Sequence, residues 1–404
     1  MTVLRRRFGR SELAMPVLSA GGMRFQHKWQ DRPFWMIPSA AQKNLEATVR
    51  RAVEHGIAHI ETARGYGTSE RQLGRVLPLM KRDDLIVQTK IAVEEEARVF
   101  VDNFHESLAR LRLDHVDLLA LHGVNDRLRL EWSLRPGGCF EAAQRLREAG
   151  KVRFVGFSTH APLPVILEAI RFGEARVGAG FDYVNLHYYF IMQRNWPAIL
   201  EAARRDMGVF IISPSDKGGK LYAPPPKLVE LCAPLAPMAF NDLFCLSHPE
   251  VHTLSIGAAR PSDFDEHVGA SALLPRAAEL LPPIIERLKD AMRRATGAAD
   301  PEAVLAGIPE WQDAPGQLNL QMMLWLRNLA LGWDLVEYGK MRFNLLGGAD
   351  HWFPGAPPSR LRELSADDIQ RAVSASPEAA RVPDFLRESL ELLGGDPVRR
   401  LSQS

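Results

Sequence analysis

The stretch His59-Ile-Glu61-Thr-Ala-Arg-Gly-Tyr66-Gly-Thr-Ser-Glu-Arg-Gln-Leu-Gly74 decides how the chain is read. It opens as a short apolar strand and places a carboxylate, Glu61, and a phenol, Tyr66, in the glycine-bearing turn that follows. It closes into a helix through Thr68-Ser69-Glu70. An acid and a tyrosine at the C-terminal mouth of a strand suit proton transfer. Taken alone, the same residues suit a surface charge and a packing ring equally well. The decision rests on whether other strands aim partners at the same place.

Seven further apolar runs share this strand-then-helix rhythm. They are Met15–Ala20, Asp84–Lys90, Val116–His122, Val152–Ser158, Tyr183–Tyr189, Gly208–Ser213 and His252–Gly257. Between them, apolar residues fall at helical spacing, as in Leu45, Val49, Ala52 and Val53, or Val101, Phe104, Leu108 and Leu111. Ser39 and Ser262 are expected helix caps. Near-continuous apolar strands alternating with amphipathic helices indicate parallel strands covered by helices. Eight such units close a (β/α)8 TIM barrel. A doubly wound open sheet is the rival, but it calls for a GxGxxG turn after its first strand, and Gly21-Gly22-Met23 is not one. The fold class expected is α/β, a TIM barrel over residues 1–295, with an α-helical C-terminal appendage over 296–404.

Composition narrows the function. The 404 residues hold 50 Lys and Arg against 49 Asp and Glu, a net charge of +1. No nucleic-acid footprint follows from that balance. No apolar run reaches the roughly 18 residues of a membrane span. The basic N-terminal segment lacks the apolar core of a signal peptide. Cys139, Cys232 and Cys245 are widely spaced and make no metal-ligand pattern. A cytoplasmic protein that binds neither nucleic acid nor membrane is expected, acting on a small molecule.

In a barrel of this kind the strand ends share one mouth. Those ends carry Glu61 with Tyr66 in the next turn, then Lys90, then His122, and later Ser158-Thr159-His160, Asn185, Ser213 and Gly257. A phenol with an ordinary pKa near ~10 is a poor acid at neutral pH. A neighbouring ammonium favours the phenolate, and a carboxylate keeps the ammonium charged and in place. The phenol can then protonate a carbonyl oxygen while a histidine orients that oxygen. The chemistry implied is carbonyl reduction, or alcohol oxidation in reverse.

The runs GIAHIETARGYGTSE, IVQTK, DLLALH and GKVRFVGFSTH together resemble the aldo-keto reductase superfamily. RRRFGRSELAMPVLSAGGMRF is similar to the entry segment of its bacterial members, and SHPEVHTLSIGAARPSDFDEH to its last strand and cofactor-clamping helix. The resemblance implies a metal-free, NADP(H)-dependent barrel, with NAD(H) as the alternative, that reduces an aldehyde or ketone. It makes Tyr66 the general acid, Lys90 and Glu61 its electrostatic support, and His122 the orienting group. Glu61 stands where the family usually has aspartate, one methylene shorter. Ser158, Thr159 and Asn185 would contact the nicotinamide carboxamide, beside Gly22 and Met23. Ile212 stands where many members stack an aromatic ring on the nicotinamide. Ser213, Lys217, Gly219 and Lys220 match the pyrophosphate loop. Ile256, Gly257, Ala258 and Arg260 match the adenosine-phosphate segment, with Glu266 on the adenine. Arg260 would favour a 2'-phosphate, and Asp263 would oppose it.

The C-terminal region, rich in Trp, Met and Leu, is expected to be a helical unit packed on the barrel. Its layout resembles the ferredoxin-like tail of some aldo-keto reductases. No cysteine follows Cys245, and cluster ligation requires thiolates, so it reads as a cysteine-less remnant without an iron-sulfur centre. A protein-docking role for it is the alternative to packing or pocket closure. The loop with Trp29, Phe34 and Trp35 suggests an aromatic-lined pocket. A second functional reading is a nucleotide-binding barrel with little turnover, serving as a sensor or interaction subunit; Glu61, Ile212 and the tail motivate it.

Overall fold

The structure, a computed structural model, describes residues 2–348 and 353–395. Residues 396–404 and Trp352 of the tail lie outside the described residues. The chain divides into two compact units. The first comprises Met1–Gly218 and Asn241–Ala277, the second Gly219–Phe240 and Ala278–Ser404.

The first unit is a closed parallel barrel. Its strands are β3 (Leu18–Gly21), β4 (His59–Glu61), β5 (Ile86–Ala92), β6 (Val116–His122), β7 (Val152–Ser158), β8 (Tyr183–Leu186), β9 (Gly208–Ile211) and β10 (Thr253–Ile256). They are hydrogen-bonded in the order β10-β3-β4-β5-β6-β7-β8-β9. Every expected strand is present: β6 and β7 have the expected bounds, and the others are trimmed or shifted by a residue or a few at their ends. The longest ladders join β5, β6 and β7, where Lys90 pairs with Ala120 and His122 with Ser158.

The helices around them are α1 (Ser39–Glu54), α2 (Ser69–Leu73), α3 (Ala97–Leu111), α4 (Arg127–Leu134), α5 (Cys139–Glu148), α6 (Leu163–Arg171), α7 (Trp196–Arg204) and α8 (Pro214–Lys217). After these come α9 (Pro226–Cys232), α10 (Pro237–Leu246) and α11 (Asp263–Ala272). Pro234 and Pro237 separate α9 from α10, because proline lacks the N–H the helix needs. Ser39 lies inside α1, whose N-cap is Pro38. Ser262 precedes α11 without a side-chain cap bond; Asp263 instead accepts the Ala259 N–H at 2.8 Å.

An antiparallel hairpin of β1 (Arg5–Arg7) and β2 (Ala14–Pro16) precedes the barrel. Phe8, Leu13 and Met15 from this segment join Ile86, Leu118, Tyr183 and Phe210 in one buried cluster. These barrel residues include the starts of β5 and β8, so the hairpin closes the end of the barrel opposite the strand C-termini. The run Arg5-Arg6-Arg7 carries no apolar alternation, so the hairpin has no periodic signal.

The second unit is helical. It contains α12 (Ala277–Thr296), α13 (Leu320–Trp333), α14 (Val336–Phe343), α15 (Ala366–Ala372) and α16 (Val382–Leu393), along with α9. Asn319 caps α13 by accepting the Met322 N–H at 3.1 Å. This helix is apolar around most of its circumference and is buried along nearly its whole length, Trp325 and Trp333 included. Trp333 donates its indole N–H to the Leu288 carbonyl at 2.9 Å, satisfying the one polar atom its burial would otherwise strand.

Candidate active site

Strand alternation turns residues i and i+2 to the same face, so His59 and Glu61 of β4, and Gln88 and Lys90 of β5, form inward pairs, while Thr89 faces α2 and donates to Glu70 at 2.7 Å. After Glu61 the chain stays paired to β5: Thr62 donates to the Gln88 carbonyl at 2.9 Å and Arg64 to that of Lys90 at 3.0 Å. This extension carries the following turn to the end of β5. The turn is tight, with Tyr66 N–H on the Ala63 carbonyl and Ser69 N–H on that of Tyr66, both 3.0 Å. It delivers the Tyr66 ring over Lys90, whose Nζ lies 4.6 Å from the ring centroid. The His122 ring stands edge-on to Tyr66, centroids 5.9 Å apart at 86°. On another side the Trp29 indole packs edge-on, 6.0 Å away.

Lys90 and Glu61 are buried at 1% and 2% exposure, and the Lys90 ammonium contacts Glu61 Oε1. Burial disfavours the charged lysine and lowers its pKa; the touching carboxylate acts in the opposite direction. Burial raises the Tyr66 phenol above its ordinary value, and a charged Lys90 beneath the ring opposes that rise. Burial favours the protonated phenol, while a charged Lys90 would stand where it stabilises the anion. Structure thus brings Glu61, Tyr66, Lys90 and His122 together.

The residues expected around a nicotinamide are arranged as follows. Gly22 N–H donates to the Glu61 carbonyl at 2.7 Å, and Met23 follows it, half-buried, in the turn after β3. Ser158 ends β7 in register with Asn185 of β8. Asn185 is fully buried, and neither its Oδ1 nor its Nδ2 has a hydrogen-bond partner among the described residues. Leaving both unmade costs several kcal/mol, on the order of 1–3 for each group. An amide lying against Asn185 supplies the missing acceptor and donor together, so the site fits a carboxamide. Thr159 is already engaged: its hydroxyl donates to the Val124 carbonyl at 2.6 Å and accepts the Ala161 N–H at 3.0 Å. Ile212 is buried and its carbonyl accepts the Tyr189 hydroxyl.

Ser213, in the left-handed region at φ 55°, turns the chain into α8. Lys217 at the end of α8 places its ammonium 3.3 Å from His187 Nε2 and 3.5 Å from His160 Nδ1. Gly219 and Lys220 open the second unit, both at positive φ. Ile256, the last residue of β10, and Ala258 beyond it are buried, and Glu266 lies exposed on α11. Arg260 is exposed and its guanidinium pairs with Asp263 at 3.0 Å. Three contributors escaped the sequence reading. Arg24 donates to the Gly257 carbonyl at 2.7 Å, and Asn44 of α1 to that of Ala259, also at 2.7 Å; together they pin the segment after β10. His187 completes the basic cluster around Lys217. Its position two residues past Asn185 was the available signal.

Residues 17–219 match the profile of the Aldo/keto reductase family. The chain belongs to that family. It is 35% identical over 138 residues to L-galactose dehydrogenase of Arabidopsis thaliana, covering 31% of this chain and 41% of that protein. It is 28% identical over 173 residues to L-glyceraldehyde 3-phosphate reductase of Escherichia coli, covering 38% and 44%. The matched stretches therefore span less than half the length of these curated relatives. In fold, it is similar to an aldo-keto reductase from Bacillus halodurans in its holo form, with a TM-score of 0.58 at 21% identity over 70% of this chain and 96% of that one. An aldo/keto reductase from Klebsiella pneumoniae in complex with NADP and acetate superposes with a TM-score of 0.53 at 18% identity, over 70% and 96%.

Proposed function

We propose that the protein is an NAD(P)H-dependent oxidoreductase that reduces a small aldehyde or ketone to the alcohol, with Tyr66 as general acid. The observation that supports this most is the stacking of charges and rings at one mouth: Glu61 on Lys90, Lys90 under Tyr66, and His122 edge-on to Tyr66. In the reductive direction Tyr66 gives its proton to the carbonyl oxygen, and Lys90 stabilises the phenolate left behind. Glu61 holds the ammonium, and His122 orients the oxygen. When bound, the reduced nicotinamide supplies the hydride. Asn185 and Ser158 would hold its carboxamide, Lys217 with Ser213, Gly219 and Lys220 the pyrophosphate, and the segment from Gly257 to Arg260 with Glu266 the adenosine end.

NADPH is the favoured cofactor, supported by Arg260 and by the NADP in the Klebsiella structure. NADH is the alternative, since Asp263 already holds the Arg260 guanidinium. Trp29 beside Tyr66 supports an apolar or aromatic carbonyl substrate. We place the protein in the cytosol, with the helical region after residue 295 as an extension of the barrel domain. The test is NADPH consumption by the full-length protein across a panel of aldehydes and ketones, beside an NADH control. Turnover that Tyr66→Phe lowers by at least ~100-fold, with cofactor affinity within about twofold, is the expected result. Tight NADPH binding without turnover would sink the enzyme reading and leave a nucleotide-binding sensor.

A further inference from the structure

Barrel interiors are usually filled by branched apolar side chains. Beneath Tyr66 this one is polar in two successive layers. Ser19, His59 and Thr253 form the lower: Ser19 Oγ meets His59 Nδ1 at 2.6 Å and Thr253 Oγ1 at 2.7 Å. Glu61, Lys90 and Ser255 form the upper. The Ser255 hydroxyl donates to Glu61 Oε2 at 3.1 Å, while Glu61 Oε1 contacts Lys90. Both carboxylate oxygens are therefore held, one by a neutral donor and one by the cation.

Ser255 and Glu61 are not on neighbouring strands. β3 lies between β10 and β4, and Gly21 is the β3 residue in register with Glu61. A Cβ at position 21 would sit 2.6 Å from Ser255 Oγ, 3.0 Å from the Ile256 carbonyl oxygen and 3.3 Å from Glu61 Oε2. Any side chain there would occupy the space through which the hydroxyl reaches the carboxylate. A glutamate also carries one more rotatable bond than an aspartate, and a buried carboxylate free to swing would not hold its lysine at a fixed point.

We propose that Ser255, given passage by Gly21, is a positioning residue that locks the Glu61 carboxylate where it grips Lys90. The inference rests on reading Tyr66 and Lys90 as the proton-delivering pair. Ser255 touches no reacting atom in this scheme. It acts through Glu61, and the glycine on the intervening strand is what lets a glutamate of this length serve.

The test compares the full-length wild type with Ser255→Ala, Glu61→Asp and the double variant. Three quantities are read: kcat and KM for carbonyl and NADPH, the pH profile of alcohol oxidation, and the titration of Lys90 by NMR of protein carrying ε-13C lysine. A hydrogen bond to a charged group is lost in Ser255→Ala, so kcat should fall about tenfold with the NADPH KM within about twofold. The ion pair is weakened relative to its neutral form, so the Lys90 titration should move to lower pH, and the limb on which oxidation rises with pH, set by Tyr66 losing its proton, should move to higher pH. On the Glu61→Asp background, where the carboxylate is withdrawn from Ser255, the same change should cost less than about twofold. An unchanged kcat with an unmoved Lys90 titration in Ser255→Ala would overturn the proposal, as would losses that simply multiply in the double variant. If the wild type turns over no carbonyl, or Tyr66→Phe leaves the rate intact, the reductase reading falls on its own. The Lys90 titration in Ser255→Ala then still decides whether Ser255 positions Glu61.

Discussion

Asp263 shows how one side chain can hold two jobs that pull against each other. One oxygen accepts the Ala259 N–H and so shapes the turn into α11, while the other pairs with the exposed Arg260 guanidinium. A 2'-phosphate approaching Arg260 meets that carboxylate as a rival and as a like charge. Asp263→Asn keeps an acceptor for Ala259 and removes the charge. Exposed ion pairs are worth little, roughly 0.2–1 kcal/mol, so NADPH affinity should rise by about two- to fivefold while NADH affinity stays put. Calorimetric titration with both cofactors checks this; equal gains for both would show that Asp263 does not sense the 2'-phosphate. Residues of this kind are legible in sequence as types but not as pairings. Glu61, Tyr66, Lys90 and His122 could be placed because each sits at or just past a strand end, and strand ends share a mouth. Ser255 and Arg24 could not, because their roles depend on which strand neighbours which and on the absence of a side chain at Gly21.

At the scale of elements, the turn bearing Tyr66 and the loop bearing Trp29 are built as one piece. Thr68 Oγ1 accepts the N–H groups of His27 at 3.0 Å and Lys28 at 3.2 Å, and Gln72 Oε1 accepts that of His27 at 2.8 Å. Gly67 lies against this loop at φ 50°, where a Cβ would overlap the Lys28 carbonyl oxygen. Charge closes the far side: Asp31 at the end of the loop pairs with Arg71 of α2 at 2.7 Å and Arg110 of α3 at 2.9 Å. The loop therefore presents Trp29 to Tyr66 from a fixed base. Thr68→Val removes the acceptor while keeping the shape of the side chain. It should raise the KM for an aromatic aldehyde several-fold, as each lost bond is worth ~1 kcal/mol, with NADPH affinity unchanged. Trp29→Ala should do the same more strongly and selectively for aromatic over short aliphatic aldehydes. A uniform rise across all carbonyls would place Trp29 outside the substrate site. The strands and most barrel helices were legible from periodicity, but this clamp was not, since Thr68, Gln72 and Asp31 follow no period and act across forty residues of sequence.

The whole barrel carries a cost of its polar interior that shows up as a pH dependence. His59 is fully buried between Ser19 and the layer above, and burial pulls its imidazole down to about 3. His252, just before β10, is pulled down to about 4 for the same reason. A histidine whose folded pKa lies below its unfolded value of ~6.5 binds its proton more readily when unfolded, so stability is complete above that value and falls as pH drops toward the folded one. Asp182 works the other way: burial raises it to about 6, so its contribution improves as pH falls from there toward its unfolded value near ~4. At pH 5 the His59 contribution alone is a loss of about 2 kcal/mol, at 1.36 kcal/mol for each unit below 6.5. Asp182 returns a smaller amount, because only about one unit of its range has been crossed by then. The barrel should therefore lose stability between pH 7 and pH 5, measurable as a drop in the urea midpoint. His59→Gln keeps a hydrogen-bonding group beside Ser19 but cannot take a proton. It should shrink the difference between pH 7 and pH 5 by about 2 kcal/mol, whatever it does to stability at pH 7. An identical pH 7 to pH 5 drop in wild type and His59→Gln would mean that the histidine titrates alike in both states, and that the polar layer beneath Lys90 is not shielded from protons.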